Sequence, residues 1–141
     1  MDIMRVEVVS NEQNIYSGEA GFVVVPTVQG ELGIYPRHEP IMSLVRPGVL
    51  RLQVPNQPDE VLVAVSGGVL EVQPDKLTVL ADIAIRSSEM DQARAEEAKK
   101  AAEAGLAAAD DEKAVEKAQA ALAAAIAELK TLDYIRSQRH K

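Results

Sequence analysis

The chain has 141 residues, a formal net charge of −7, and neither cysteine nor tryptophan. That length holds one ordinary domain, or a small domain with an appendage. The missing cysteines exclude disulfides, thiolate chemistry and cysteine-ligated metal, and an acidic chain with four scattered rings is a poor platform for nucleic acid or carbohydrate.

The opening residues, MDIMRVEVV, lack the apolar run of a signal peptide, and no stretch is apolar enough to span a bilayer. The expectation is a soluble, intracellular protein that reaches a membrane only through a partner. Met4, Val6 and Val8 alternate with Arg5 and Glu7, the period of a half-buried strand. Ser10–Gln13 is a polar turn, and Ile15–Ser17 and Gly21–Val25 are further strands, the second ended or edged by Pro26. GELGIYPRHEPIM, from Gly30 to Met42, carries two glycines and two prolines and predicts an irregular, tightly turned loop. Beyond the Arg46–Gly48 turn, Leu50, Leu52 and Val54 alternate with polar residues. Pro55–Asp59 then turns the chain into Val61–Val65, a continuous apolar run that fits a more buried strand. Ser66–Gly68 reads as a hairpin turn and leads into Val69–Val72; Pro74–Lys76 leads into Leu77–Leu80. Short β-branched runs with regular turn signals predict an antiparallel β-sandwich or barrel over residues 1–86.

From Ser88 the composition changes. No proline follows, Gly105 is the only glycine, and alanine dominates, so residues 87–141 predict an antiparallel α-helical hairpin. Ser88 stands at capping-box spacing from Asp91, and Ala93, Ala98, Ala101 and Ala102 carry the first helix to about Glu103. Gly105–Asp111 reads as the connection, with Asp110 or Asp111 capping a second helix from Glu112 to about Gln138. Leu122, Ile126 and Leu129 form its apolar stripe, and Arg136, Arg139, His140 and Lys141 make its end basic. A hairpin so poor in large side chains is stiff within each helix and weakly attached elsewhere.

No enzyme assembles from these residues. His38 and His140 are too isolated for a metal cluster or a Ser-His-Asp set, and Ser66-Gly67-Gly68 lacks the Lys-Ser/Thr of a phosphate loop. The paired carboxylates Asp59–Glu60, Glu96–Glu97 and Asp110–Asp111 fall in turns or on polar helix faces. The basic residues of the hairpin either are solvated or dock onto an acidic partner.

Four segments together, GELGIYPRHEPI (Gly30–Ile41), PGVLRL (Pro47–Leu52), SGGVLEVQPDKLTVLAD (Ser66–Asp82) and MDQARAEEA (Met90–Ala98), resemble the epsilon subunit of bacterial F-type ATP synthases over essentially the whole chain. The resemblance implies a sandwich of roughly ten strands followed by a helical hairpin. It implies a non-catalytic rotor part without cofactor or metal, one copy per complex, joining the gamma subunit to the membrane c-ring on the cytoplasmic face of the bacterial inner membrane. Glu31 and His38, in the loop that resembles the ring-facing one, are the implied c-ring contacts. The hairpin would lie on the β-domain or extend along gamma into the alpha/beta catalytic head and restrain ATP hydrolysis. Lys99, Lys100, Lys113, Lys117, Lys130 and Arg136 are then its contacts to gamma and the head.

The chain departs from the family's pattern at Arg37 and Glu39, where the loop usually has glycine and alanine. Arg37 implies a backbone position without a strict need for φ > 0, or one under strain. Met90, Asp91, Arg94 and Ala95 match part of the nucleotide motif of some members, but that motif's two second-helix arginines align with Ala124 and Glu128. Losing two phosphate-binding cations costs several kcal/mol, at about 1.5–3 kcal/mol per charged hydrogen bond, so ATP is expected to bind weakly or not at all. The rival readings are an ATP-sensing regulatory subunit and a β-sandwich adaptor with a fixed helical docking arm.

Overall fold

A computed structural model describes residues 2–11 and 13–139, with residues 138 and 139 described by backbone alone; Met1, Glu12, His140 and Lys141 lie outside the described residues. Ten strands precede two helices: β1 (Met4–Ser10), β2 (Gln13–Ala20), β3 (Phe22–Thr27), β4 (Gly30–Ile34), β5 (Ile41–Val45), β6 (Gly48–Gln53), β7 (Val61–Val65), β8 (Gly68–Gln73), β9 (Lys76–Ala81), β10 (Ala84–Arg86), α1 (Gln92–Ala108) and α2 (Glu112–Arg139). The strands run β10-β7-β6-β3-β5-β8-β9-β1-β2, with β4 on the other side of β3. The join between the halves is narrow: β3 pairs with β6 through Phe22–Val24 and with β5 only at Thr27, opposite Val45. The sheet folds over at this join into two layers around a core that includes Val6, Val8, Ile34, Leu50, Leu70 and Leu77, none of them exposed.

The structure corrects the sequence reading in several places. The Gly30–Met42 segment is not one irregular loop, because Gly30–Ile34 pairs along β3 and Ile41–Val45 along β8, leaving only residues 35–40 as the turn. Pro26 lies inside β3, buried, rather than ending it. It sits where β3 passes from β6 to β5, a gap in the ladder that needs no N–H from it. The sandwich is not wholly antiparallel: β1 and β9 pair in parallel, from Arg5–Lys76 to Ser10–Ala81. Ser66–Gly68 is no hairpin turn, since β7 pairs with β6 and β10 while β8 pairs with β5 and β9. Its glycines serve the crossing: Gly68 has φ 145°, and a Cβ there would run into the backbone of Leu80 and Ala81.

The helices also begin and end differently. Ser87–Glu89 forms a single 3₁₀ turn, and Asp91, not Ser88, caps α1, its carboxylate accepting from Arg94 N at 3.1 Å. Ser88 cannot close a capping box because it lies inside the 3₁₀ turn, with Met90 extended between that turn and the start of α1. Gly105 does not break α1, which continues to Ala108; a Cβ at Gly105 would meet Ala118 Cβ at 3.9 Å, so the glycine packs toward α2. Asp111 caps the second helix through Ala114 N at 2.7 Å. Alanines at heptad spacing, Ala95 and Ala102 on α1 and Ala118 and Ala125 on α2, are buried and let the two helices approach closely.

Candidate functional site

The two outer faces of the sandwich are unequal. On the β6–β7 side α2 lies across the sheet. This explains why the Val61–Val65 run is apolar throughout: Val63 and Val65 enter the core, while Leu62 and Ala64 point the other way and are 6% and 3% exposed. Among the described residues no helix lies across the β5-β8-β9-β1 side. Register aligns Leu44 with Val69, Val69 with Leu80, and Leu80 with Val9. Val28, whose N–H bonds to Leu44 O at 3.1 Å, extends this row beyond β5. At about 4.8 Å per strand the row spans roughly 19 Å. Leu44 is 59% exposed and Leu80 54%. The row beside it, Met42–Glu71–Thr78–Glu7, is polar apart from Met42, which is 71% exposed, and Glu7 there pairs with Lys76 at 3.4 Å and with Arg5 at 3.7 Å. An apolar strip edged by ion pairs has the makeup of a protein-docking face.

Glu31 and His38 do not share a loop. Glu31 is exposed in β4 opposite Pro26, whereas His38 lies beyond the other end of β4, half-buried, with Nδ1 2.8 Å from Glu39 O. Since β4 pairs only with β3, its free edge runs between them. Arg37 occupies the left-handed region with φ 69°, its N–H bonding to Pro74 O at 2.7 Å, so the loop does use a positive φ and an arginine bears the strain.

The basic residues of the hairpin are dispersed. Lys99, Lys130 and Arg136 share a groove of about 420 Å³ between the helices with Gln92, Glu96 and Asp133. Arg136 bonds Gln92 Oε1 at 3.0 Å and pairs with Asp133 at 3.6 Å. Lys100, Lys113 and Lys117 are exposed elsewhere. The partial nucleotide motif is occupied by local structure: Asp91 caps α1, Arg94 Nη2 donates to Glu89 O at 2.8 Å, Ala95 is buried and Met90 half-buried. Glu128 is 5% exposed, Oε1 has no hydrogen-bond partner, and Ala124 one turn earlier is half-buried.

One constellation that carries no sequence signal ties α2 to the sheet. The Tyr134 hydroxyl donates to Glu60 Oε1 at 2.8 Å and accepts from Arg51 Nη1 at 3.2 Å, and the guanidinium stands 5.4 Å from the Tyr134 ring centroid. The hydrogen bond to Tyr134 raises the Arg51 pKa above its ordinary value against the opposing effect of burial, so this cation is permanent. Tyr134 is 83 positions from Arg51 and 74 from Glu60 along the chain.

Residues 3–87 match the model of the beta-sandwich domain of the ATP synthase Delta/Epsilon chain, and residues 88–138 that of its long alpha-helix domain. The chain is 81% identical over 139 residues to the ATP synthase epsilon chain of a Neisseria meningitidis serogroup C / serotype 2a strain, covering 99% of each. It is 61% identical over 140 residues to that of Chromobacterium violaceum, covering 99% of this chain and 100% of the relative. Among solved structures, a chain of the Euglena gracilis mitochondrial ATP synthase (OSCP/F1/c-ring, rotational state 1) superposes with a TM-score of 0.68 at 19% identity, covering 94% of this chain and 80% of that one. A chain from the central stalk and c-ring of the Tetrahymena thermophila enzyme gives 0.58 at 17% identity, covering 90% and 94%.

Proposed function

Since this chain belongs to the ATP synthase Delta/Epsilon family, we propose that it is the epsilon subunit of a bacterial ATP synthase: a non-catalytic part of the rotating central stalk that links gamma to the c-ring. The observation that carries this reading is the inequality of the two sandwich faces. One is closed by the chain's own hairpin, and the other presents the apolar row Val28–Leu44–Val69–Leu80–Val9. The open row is where gamma docks, because an apolar strip left to water on a rotor part has a protein partner. The c-ring lies along the β4 edge, touching Glu31 at one end and His38 at the other. No helix of the described residues is long and apolar enough to cross a membrane. Membrane attachment on the cytoplasmic face is therefore through the ring.

The hairpin is a movable arm. The sheet-facing side of α2 carries the small buried residues Ala127 and Thr131, so its release exposes little apolar area from the helix, and in the extended state Lys99, Lys100, Lys113, Lys117, Lys130 and Arg136 meet acidic segments of gamma and the catalytic head. ATP does not hold the arm down, since Asp91 and Arg94 are engaged locally and a buried carboxylate, Glu128, stands where a phosphate would need a cation. Removing residues 88–141 tests the arm in the assembled complex. The shortened subunit is expected to assemble and ATP hydrolysis to rise; assembly with unchanged hydrolysis would refute the restraint.

A further inference from the structure

The seam between the hairpin and the sheet contains almost nothing polar. Thr131, buried on α2, satisfies its hydroxyl within its own helix by donating to Ala127 O at 2.8 Å. Among the described residues the Arg51–Tyr134–Glu60 cluster is the one set of side-chain hydrogen bonds that crosses from the hairpin to the β-domain. These bonds exist only while α2 is docked. Opposing them, Glu128 brings a carboxylate into the buried region and leaves Oε1 without a donor.

The position of Glu128 on α2 matters. At 100° per residue it lies 60° from Ala125, which is on the α1-facing side with Ala118, and 100° from Ala127, which is on the sheet-facing side with Thr131 and Tyr134. It therefore occupies the flank where α1, α2 and the sheet converge, and there it is 5% exposed. A carboxylate with one oxygen buried and short of a donor disfavours the state that buries it. A hydroxyl held between a guanidinium and a carboxylate favours the state that assembles them.

We propose that Tyr134 and Glu128 set the hairpin's docking equilibrium in opposite directions: Tyr134, clasped by Arg51 and Glu60, holds α2 on the sheet, and the unpartnered Glu128 carboxylate pushes it off. This deepens the movable-arm reading and rests on it. A partner shifts the arm by its differential affinity for the two states, and a polar clasp can be exchanged directly for polar contacts on the partner. Glu128 lowers the number of contacts that exchange must replace.

The test uses the full-length isolated chain, which contains no native cysteine. A single thiol at Ala64→Cys, under α2, is labelled only when the hairpin lifts, and a parallel single thiol at Val79→Cys in the core reports whole-domain opening. Tyr134→Phe keeps the ring and removes the hydroxyl; with two part-buried hydrogen bonds to charged groups lost, each weakened by its solvent exposure, labelling at position 64 should accelerate about 10- to 100-fold. Glu128→Gln keeps the shape and removes the charge, and labelling should slow by about tenfold. Labelling at position 79 should not change. An unchanged or slower rate in Tyr134→Phe, a faster one in Glu128→Gln, or a matching acceleration at position 79 would each overturn the proposal. Because the rates are read without partners, failure here leaves the test of the central-stalk reading in the assembled complex intact.

Discussion

Replacing Leu44 and Leu80 together by lysine separates the docking role of the open sheet face from any role in folding. Both side chains point away from the core, at 59% and 54% exposure. Complete burial of a leucine contributes about 1.5–3 kcal/mol, so the remaining half of each yields roughly 1–1.5 kcal/mol when a partner covers it. The pair therefore contributes about 2–3 kcal/mol, or some 30- to 150-fold in affinity. Lysine can keep its stem on the apolar strip while its ammonium reaches water, so the lower figure is the appropriate expectation. In the free chain the same change moves stability by no more than about 0.5 kcal/mol, because neither residue supports the core. The assay is a calorimetric titration of gamma with the wild-type and doubly substituted chains, beside thermal melts of the free proteins. Glu71→Ala, one row away on β8, is the control and should bind nearly normally. A double variant that binds gamma with wild-type affinity would refute the assignment of this face. A double variant that melts far below wild type would show instead that the row supports the fold.

Four further outcomes follow from backbone geometry and packing. Arg37→Gly should raise the melting temperature slightly, because removing a left-handed non-glycine residue gains about 1–2 kcal/mol against roughly 0.5–1 kcal/mol of extra unfolded-state freedom. Arg37→Ala, which keeps the strain and loses only the exposed 3.9 Å pair with Asp2, should be nearly neutral by the same melts. Gly105→Ala should stabilise the hairpin by about 0.5–1 kcal/mol, read as a higher midpoint for the loss of helical circular dichroism, since the new methyl meets Ala118 at ordinary contact distance. Gly68→Ala should lower stability by about 3 kcal/mol or more in urea unfolding, because the added Cβ collides with the β9 backbone at a φ that side chains rarely adopt.

Much of the fold was legible because burial imposes simple periods. β1 and β6 show one buried face and read as alternation, and β7 reads as a solid apolar run because core and helix cover opposite sides. The errors came where tertiary context decides. Pro26 is tolerated inside β3 because a ladder handover happens to fall there, and Gly105 stays helical because Ala118 lies opposite it. β4 and β5 were hidden by the turn residues around them, since only their partners in β3 and β8 reveal them as strands. The candidate docking surfaces were less legible than the fold. Leu44 and Leu80 are single apolar residues at outward positions, and only register sets them in one row. Tyr134, Arg51 and Glu60 meet across long stretches of chain, and no local spacing announces them.

The bonding of the hairpin also determines what it keeps on leaving the sheet. Asp91 caps α1 through Arg94 N, Arg94 returns to Glu89 O, Asp111 caps α2 through Ala114 N, and Arg136 ties α2 to Gln92 of α1. Every one of these bonds lies within the hairpin or its entry turn, so none depends on the β-domain. The alanines Ala95, Ala102, Ala118 and Ala125 lie on the faces that the two helices turn toward each other. A capped helix pair with its own packing survives as helix when its outer contact is lost, whereas a helix that relied on the sheet for its caps would fray. Opening the Arg51–Tyr134–Glu60 clasp therefore releases a formed hairpin rather than a coil. The far-ultraviolet circular dichroism of Tyr134→Phe should match the wild type even as its position-64 thiol becomes reactive. A loss of helical signal alongside faster labelling would mean that the arm melts as it leaves, and that docking to the sheet, not internal capping, maintains its helices.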